Sequence, residues 1–215
     1  MPKWALHGVK RDTDRSTGAH RSLPCPPARA RVACAQRRPP QCPMHSPTLR
    51  AATAADTDVL FHLMQFYYFE ASAWSGEALR ADGLYDCDRA DVEASLYNDP
   101  EWARLLWQGE ALVGFVLVDQ VEVEGRSVPE LADLFVLPKY RRQGIAAQVV
   151  AALVRPDTGQ WLLATYRKDL DAHAFWSRNL PRMGLQVEIP PDSADPVFHR
   201  FLIRALATPG LHAPA

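Results

Sequence analysis

A basic turn within LFVLPKYRRQGIAAQVVAALV, residues 134–154, is the feature of this sequence best suited to chemistry. An apolar, β-branched run leads into the turn and an Ala- and Val-rich run leaves it, which predicts a strand followed by a helix. Backbone N–H groups at a helix start lack helical partners and, with the helix macrodipole, bind anions. Lys139, Arg141 and Arg142 add positive charge, and Gly144 lets the main chain approach a ligand closely. We therefore predict a phosphate or pyrophosphate site, the alternative being a solvated basic helix cap.

Several common nucleotide-binding and metal-binding motifs are absent from the sequence. The turn is neither the G-x-G-x-x-G of dinucleotide-binding folds nor the GxxxxGK[ST] of P-loops. Three of the four cysteines lie in the first 46 residues, Cys87 stands alone in the remainder, and no CxxC pair occurs. These absences predict no metal, no disulfide framework and a reducing, cytoplasmic setting.

The first 46 residues differ in composition from the rest of the chain. They hold nine of the 24 Lys and Arg residues but two of the 25 Asp and Glu residues, in a Pro- and Arg-rich stretch without periodicity. We predict a disordered basic extension over residues 1–46, with a start at Met44 as an alternative, and a C-terminal tail over 206–215. An arm that binds nucleic acid would carry denser runs of Lys and Arg, so a nucleic-acid partner is not favoured. A membrane span would need a long apolar run, so membrane association is not favoured either.

Residues 47–205 have the hydrophobic patterning of one folded domain. The patterns predict helices over 53–74, 89–99, 144–156 and 169–180, the last broken by Pro181. They predict strands over 47–53, 102–108, 111–123, 131–138, 159–167, 185–190 and 197–206, with 125–130 as a turn. The order β-α-α-β-β-β-α-β-α-β-β predicts an α/β domain in which helices cover both faces of a mixed sheet.

The turn and its flanking elements resemble the signature of the GNAT superfamily of acyl-CoA-dependent N-acetyltransferases, V-x-P-x-x-R/Q-x-x-G-x-G/A. The matching residues are Val136, Pro138, Arg141, Gly144 and Ala146. The resemblance covers roughly residues 47–205 and implies that acetyl-CoA is the co-substrate. It implies that the pantetheine arm adds to the strand like a further β-strand and that the turn amides wrap the pyrophosphate. The cofactor-binding residues so implied are Phe135, Val136, Leu137, Arg141, Arg142, Gln143, Gly144, Ile145, Ala146 and Ala147.

The usual acid of this family is replaced in the present sequence. Many members carry a tyrosine in the pattern N-x-x-A-x-x-x-Y, and here Asp169, Ala172 and Trp176 occupy the Asn, Ala and Tyr positions. An indole N–H donates a hydrogen bond but does not release a proton at neutral pH. Trp176 is therefore expected to pack near the pantetheine or thiol, or to fill the core. A thiol has a low enough pKa for the thiolate to leave without a dedicated acid, and the less favoured alternative is that Tyr166 serves as a substitute acid.

Two carboxylates in PELADLFVLP, Asp133 and Glu130, are the candidate general bases. Asp133 shares a strand face with Phe135 and Leu137, because side chains alternate along a strand. Apolar neighbours raise the pKa of a carboxyl, so Asp133 could take a proton through water. The alternatives are binding of the substrate ammonium and a solvated strand-end carboxylate.

The aromatic stretch FYYFEASAW, residues 66–74, is the candidate wall of the acceptor site. Its aromatics, with Glu70 and Glu77, could hold a cationic amine, although core packing explains most of the stretch. His62 and His173 are expected at the surface or in packing. The resulting prediction is an N-acetyltransferase acting on a primary amine of a small molecule or peptide. The alternatives are a catalytically weak acyl-CoA sensor and, less favoured, a nucleic-acid-associated protein. An exposed sheet edge allows a homodimer.

Overall fold

The computed structural model describes residues 46–190 and 195–206. Within them, seven strands and four α-helices follow one another in the predicted order, β-α-α-β-β-β-α-β-α-β-β. The predicted extension and C-terminal tail lie outside the described residues, apart from residues 46 and 206. The strands are β1 Thr48–Ala51, β2 Ala103–Gln108, β3 Ala111–Val123, β4 Arg126–Val136, β5 Gln160–Tyr166, β6 Leu185–Glu188 and β7 Phe198–Ala205. The helices are α1 Thr57–Ser75, α2 Arg89–Asn98, α3 Ile145–Leu153 and α4 Leu170–Arg182.

The strands form a single mixed sheet in the order β1-β2-β3-β4-β5-β7-β6. Strands β4 and β5 are parallel and every other neighbouring pair is antiparallel. One hydrophobic cluster joins α1 and α2 to one face of the sheet, and a second joins α3 and α4 to the other face. We call these the α1 face and the α3 face. The predicted α/β class, with helices on both sides of a mixed sheet, is confirmed.

The alternation of side chains explains how both faces are filled. On β3, Phe115 and Leu117 belong to the α1 cluster, whereas Val116 belongs to the α3 cluster and Val118 packs against it. On the helix, Leu60 and Met64 are buried on the side that α1 presents to the sheet. Burying such side chains on both faces of one sheet supplies the main driving force for this fold.

Proline explains two of the differences between the predicted and the observed element boundaries. Strand β4 begins at Arg126, so the predicted turn over 125–130 is mostly strand, with Pro129 opposite Gln120 of β3. Pro129 lies just before the first β4 residue that pairs with β5, in a stretch where β3 is the neighbour, and proline is tolerated at such an edge. Helix α4 continues through Pro181 to Arg182, because a proline in the last turn removes only one helical hydrogen bond.

The helices of the described residues were compared with the length and hydropathy of a membrane span. None of the helices there combines the length and the apolar character needed to cross a bilayer.

Candidate active site

Strands β4 and β5 separate soon after they meet. Their parallel pairing consists of Glu130 with Leu162 and Leu131 with Leu163, although β4 continues to Val136 and β5 to Tyr166. A β-bulge lies at the same place, because Leu117 and Val118 of β3 pair with Asp133 and Leu131 and leave Ala132 without a partner. Bulges bend a strand and increase its twist. The bulge is therefore a reason for β4 and β5 to diverge toward their carboxyl-terminal ends, and we call the space between those ends the cleft.

The main chain of β4 beside the cleft is held by β3 on its other side. A Cβ on Gly114 would lie 2.0 Å from the carbonyl oxygen of Phe135, so only glycine permits this close approach. The N–H of Leu137 donates to the carbonyl of Val113 at 2.9 Å, and its carbonyl accepts from the N–H of Tyr140 at 2.8 Å. The main-chain groups of Phe135 and Leu137 are thus directed to β3 or to the turn. Main-chain hydrogen-bonding groups point to alternate sides of a strand, so those of Val136 point toward the cleft. Of the three residues predicted to bind the pantetheine arm by strand addition, Val136 is therefore the one whose main chain is directed to the cleft.

The basic turn after β4 exposes a set of backbone amides. Arg142 and Gly144 both have left-handed backbones, with φ of 61° and 76°. The first hydrogen bond of α3 runs from the Gln148 N–H to the Gly144 carbonyl at 3.1 Å, so the amides of residues 145–147 make none within the helix. When right-handed and left-handed backbone conformations alternate, successive N–H groups point to the same side of the chain. Such a group of amides is an anion-binding nest. The geometry therefore suits the predicted phosphate site better than an ordinary helix cap.

Arg141 links this turn to helix α1 through its side-chain hydrogen bonds. Its Nε donates to the Val136 carbonyl at 2.6 Å, and one of its terminal nitrogens donates to Glu70 Oε2 at 2.7 Å. The guanidinium also lies 5.6 Å from the ring centre of Phe135. Glu70 is therefore paired with the turn in this structure, and its role in binding the acceptor stays a prediction. Arg142, exposed at the turn, is the cation better placed to meet an anion.

Asp133 lies on the α1 face, at the point where β4 leaves β5. It is buried, with 8% of its surface exposed, and the Tyr67 hydroxyl donates a hydrogen bond to it. Burial raises the pKa of Asp133 to about 7, with smaller contributions from Asp119, Glu130 and Glu77, and the Tyr67 hydrogen bond opposes that rise. A carboxyl with such a pKa can accept a proton near neutral pH. The predicted raised pKa of Asp133 thus has its cause in burial.

Glu130 lies on the same face as Asp133 because of the bulge. Strict alternation would separate residues 130 and 133 onto opposite faces, but Ala132 shifts the phase by one residue. Glu130 has 6% of its surface exposed, and burial, followed by Asp119, raises its pKa. Its Oε2 has no hydrogen-bond partner among the residues that the structure describes.

Tyr166, the predicted substitute acid, lies at the end of β5 on the α1 face. Its ring stacks on Trp74 of α1 with centroids 5.1 Å apart and contacts Phe198 of β7 at 4.6 Å. Burial raises the pKa of Tyr166 to about 12, and the charges of Glu77 and Asp133 add to the rise. The structure thus gathers the three predicted catalytic residues on one side of the sheet, and Tyr166 is protonated throughout the physiological range.

Trp176 lies elsewhere, in the core between α3, α4 and the sheet. It retains 8% exposure and packs against Phe175 edge to face, with centroids 4.8 Å apart. Of the two roles that the sequence left open, this placement favours core packing. Asp169, at the Asn position of the family pattern, caps α4 by accepting the Ala172 N–H at 2.9 Å.

The two histidines that the sequence singled out were expected at the surface or in packing. His62 is exposed, and His173 packs against His199 with ring centroids 4.0 Å apart. Among the described residues, no three His, Cys, Asp or Glu side chains are grouped as metal ligands. Sequence reasoning missed Asp119, because its proximity to Glu130 depends on β3–β4 register, and it did not single out Tyr67 within the aromatic stretch.

Comparison with known proteins identifies the fold. The family model described as "Acetyltransferase (GNAT) family" matches residues 59–180, more than half of the chain. The chain belongs to the GNAT family of acetyltransferases. That match contains both β4 and the amide turn, so the resemblance inferred from the signature residues is confirmed.

Solved structures support the same GNAT fold. An acetyltransferase from Thermus thermophilus is 21% identical with a TM-score of 0.52, over 76% of this chain and 99% of that one. A GNAT family acetyltransferase from Streptococcus agalactiae is 12% identical with a TM-score of 0.51, over 77% and 98%. One from Listeria monocytogenes is 14% identical with a TM-score of 0.50, over 73% and 93%. No curated protein matches this chain.

Proposed function

We propose that this GNAT protein is an N-acetyltransferase that moves an acetyl group from acetyl-CoA to a primary amine of a small molecule or peptide. One observation carries the proposal: strand β4 leads from the buried Asp133 directly into the exposed amides before α3. A carboxylate with a pKa about 7 and an anion-binding turn thus stand at two ends of one short segment. This arrangement suits a long anionic donor whose reactive end must meet an amine.

The amides of the turn would bind the pyrophosphate of the donor. The main-chain N–H of Val136, whose carbonyl accepts from Arg141, would donate to the pantetheine arm. The bound donor supplies a thioester, whose carbonyl carbon is the electrophile. Asp133 would accept one proton from the substrate ammonium, directly or through water, and so leave a neutral amine able to attack. As the C–N bond forms and the C–S bond breaks, Tyr166 would give its proton to the departing sulfur and recover one from the amine nitrogen.

The replacement of the usual tyrosine supports one alternative function. Trp176 stands at that position and lies in the core, so an acyl-CoA-binding sensor with weak catalysis would also fit this cleft. The two functions share the donor site and differ in turnover. The cytoplasmic setting and a homodimer remain predictions, since neither depends on a feature of the cleft.

Calorimetry with acetyl-CoA and a thiol-release assay over a panel of amines test the proposal together. We expect saturable binding of acetyl-CoA and amine-dependent release of free thiol. Binding without turnover of any amine would favour the sensor. Absence of binding by a folded protein would refute both functions, because both require the amide turn to hold the donor.

A further inference from the structure

Thr165 is a buried polar residue that has no role in the chemistry proposed so far. It lies on β5, directly before Tyr166, and 6% of its surface is exposed. Its Oγ1 has no hydrogen-bond partner within residues 46–190 and 195–206. A buried hydroxyl without a partner costs free energy, so such groups are uncommon in folded proteins. A bound molecule that hydrogen-bonds this hydroxyl would remove the cost.

The neighbour of Thr165 on β7 does not satisfy this hydroxyl. Thr165 is paired with His199 in the register of β5 and β7, so the two side chains share one face. His199 Nδ1 lies 3.3 Å from a guanidinium nitrogen of Arg167, and the rings of His199 and His173 are 4.0 Å apart between centroids. Arginine only donates hydrogen bonds, so Nδ1 is the acceptor of the first contact. His199 is thereby directed to Arg167 and His173, and the space on the other side of β5 is the cleft.

Thr165 borders the cleft on the α3 face. The last β4–β5 pair joins Leu131 to Leu163, and Thr165 follows Leu163 by two residues on the same face. Beyond that pair, the side chains of β4 and β5 on this face are those of Leu134, Val136 and Thr165. Leu134 and Val136 are apolar, so Thr165 supplies the polar side-chain group on this side of the cleft.

The two faces of β5 separate Thr165 from the proposed acceptor site. Tyr166 follows Thr165 and lies on the α1 face, with Trp74 and the buried Asp133. The amides of the turn lie at the start of α3, the helix that covers the other face. A donor whose pyrophosphate is bound at those amides would run along the α3 face before its thioester enters the cleft. Thr165 is therefore positioned to meet the arm of the donor, and Tyr166 to meet its reacting end.

We propose that the Thr165 hydroxyl hydrogen-bonds an amide of the pantetheine arm of acetyl-CoA, across the cleft from the Val136 N–H. This inference rests on the donor site of the proposed function but not on turnover. A threonine hydroxyl both donates and accepts, so it can serve the carbonyl or the N–H of that amide. The hydroxyl moves between staggered positions by rotation about one Cα–Cβ bond, so it can face the arm without movement of β5.

Thr165→Val tests this assignment, because valine has nearly the same shape and lacks the hydroxyl. We expect the dissociation constant of acetyl-CoA, measured by calorimetry, to rise roughly fivefold to thirtyfold. ADP, which carries a pyrophosphate but no pantetheine arm, should bind the variant and the natural protein equally well. Thr165→Ser keeps the hydroxyl and should bind acetyl-CoA like the natural protein. An unchanged dissociation constant of acetyl-CoA in Thr165→Val would overturn the inference.

Thermal unfolding separates a hydroxyl that binds the donor from one that holds the fold. Without ligand, Thr165→Val replaces an unpartnered hydroxyl by a methyl group, so the melting temperature should stay the same or rise by about 2–4 °C. Thr57→Val is the matched control, because Thr57 is also buried and its Oγ1 donates to the Ala54 carbonyl at 2.7 Å. That variant should unfold at a lower temperature and bind acetyl-CoA normally. A lower melting temperature for Thr165→Val, with equal weakening of acetyl-CoA and ADP, would contradict the proposal.

Failure of this inference can be separated from failure of the proposed function. If the natural protein and Thr165→Val bind acetyl-CoA equally well, the transferase assignment is untouched and only the role of Thr165 is wrong. If Thr165→Val loses affinity for acetyl-CoA but not for ADP, and no amine is acetylated, the inference holds and the protein is the sensor. If the natural, folded protein binds no acetyl-CoA, both the inference and the proposed function are wrong.

Discussion

Arg141 and Glu70 are 71 residues apart in the sequence, yet a guanidinium nitrogen of Arg141 lies 2.7 Å from a carboxylate oxygen of Glu70. The same guanidinium donates to the Val136 carbonyl. Helix α1 is thereby connected to the turn whose amides are proposed to bind the donor. The ion pair is partly exposed, so its contribution to stability should be small.

Substituting either member of this pair should affect donor binding more than folding. For Arg141→Gln we expect the dissociation constant of acetyl-CoA to rise roughly three- to tenfold, because the amides lose their fixed orientation. Glu70→Gln should cause a smaller rise. A double-mutant cycle on chemical unfolding should give a coupling of about 0.2–1 kcal/mol. If the effects of the two substitutions are simply additive, both on acetyl-CoA binding and on the free energy of unfolding, the Arg141–Glu70 pair does not form in solution.

Gly144→Ala tests the left-handed turn. A Cβ at Gly144 would have room, since its nearest neighbour is Gln148 Nε2 at 3.7 Å, but φ is +76°. The strain of about 1–2 kcal/mol should lower stability and weaken acetyl-CoA binding by about tenfold as the amides move. Gly109→Ala is the matched control, because Gly109 has φ of +60° in the β2–β3 turn. It should lose similar stability and bind acetyl-CoA normally.

The ionisation of Asp133 should control the pH profile. The free carboxylate is the active form and its pKa is about 7, so kcat/KM should rise as pH rises through about 7. Asp133→Asn should remove that limb and lower kcat/KM by about 10²–10⁴-fold. Because the folded protein holds this proton to a higher pH than the unfolded chain does, stability should fall between about pH 4 and 7. The Asn variant should lack this component of the decline.

Tyr67→Phe tests the hydrogen bond that Asp133 receives. The bond lowers the pKa of Asp133, so its removal should move the acidic limb of the kcat/KM profile to higher pH. At pH 7 the variant should then lose activity that is recovered at higher pH. A residue that only packed against Asp133 would lower activity without displacing the limb, and that result would contradict the role given to Tyr67.

Tyr166→Phe tests the proposed acid. Loss of the hydroxyl should reduce kcat by roughly 10²–10⁴-fold, the usual range for general acid catalysis, with little change in acetyl-CoA affinity. Tyr97→Phe removes a hydroxyl from a tyrosine that is 81% exposed and serves as the control. Unimpaired turnover by Tyr166→Phe would mean that the thiolate leaves without this acid. Single-turnover kinetics would separate that result from a change in product release.

Local patterns along the chain were enough to predict the order of the elements and the strand–turn–helix unit at residues 134–154. Both are local properties, because hydrophobic periodicity and the glycine of a turn act over a few neighbouring residues. The same reasoning pointed to Asp133, Glu130 and Tyr166. It could not show that Glu70 would pair with Arg141, since nothing within either segment indicates the other.

Which of these side chains meet depends on how segments distant in the sequence pack together. Regular alternation along β4 would have placed Glu130 and Asp133 on opposite faces, and the bulge at Ala132 brings them to one face. The pairing of β3 with β4 then sets Asp119 opposite Glu130. Register and bulges arise from contacts between distant segments and from the twist of the whole sheet, so the pattern of a single strand does not encode them.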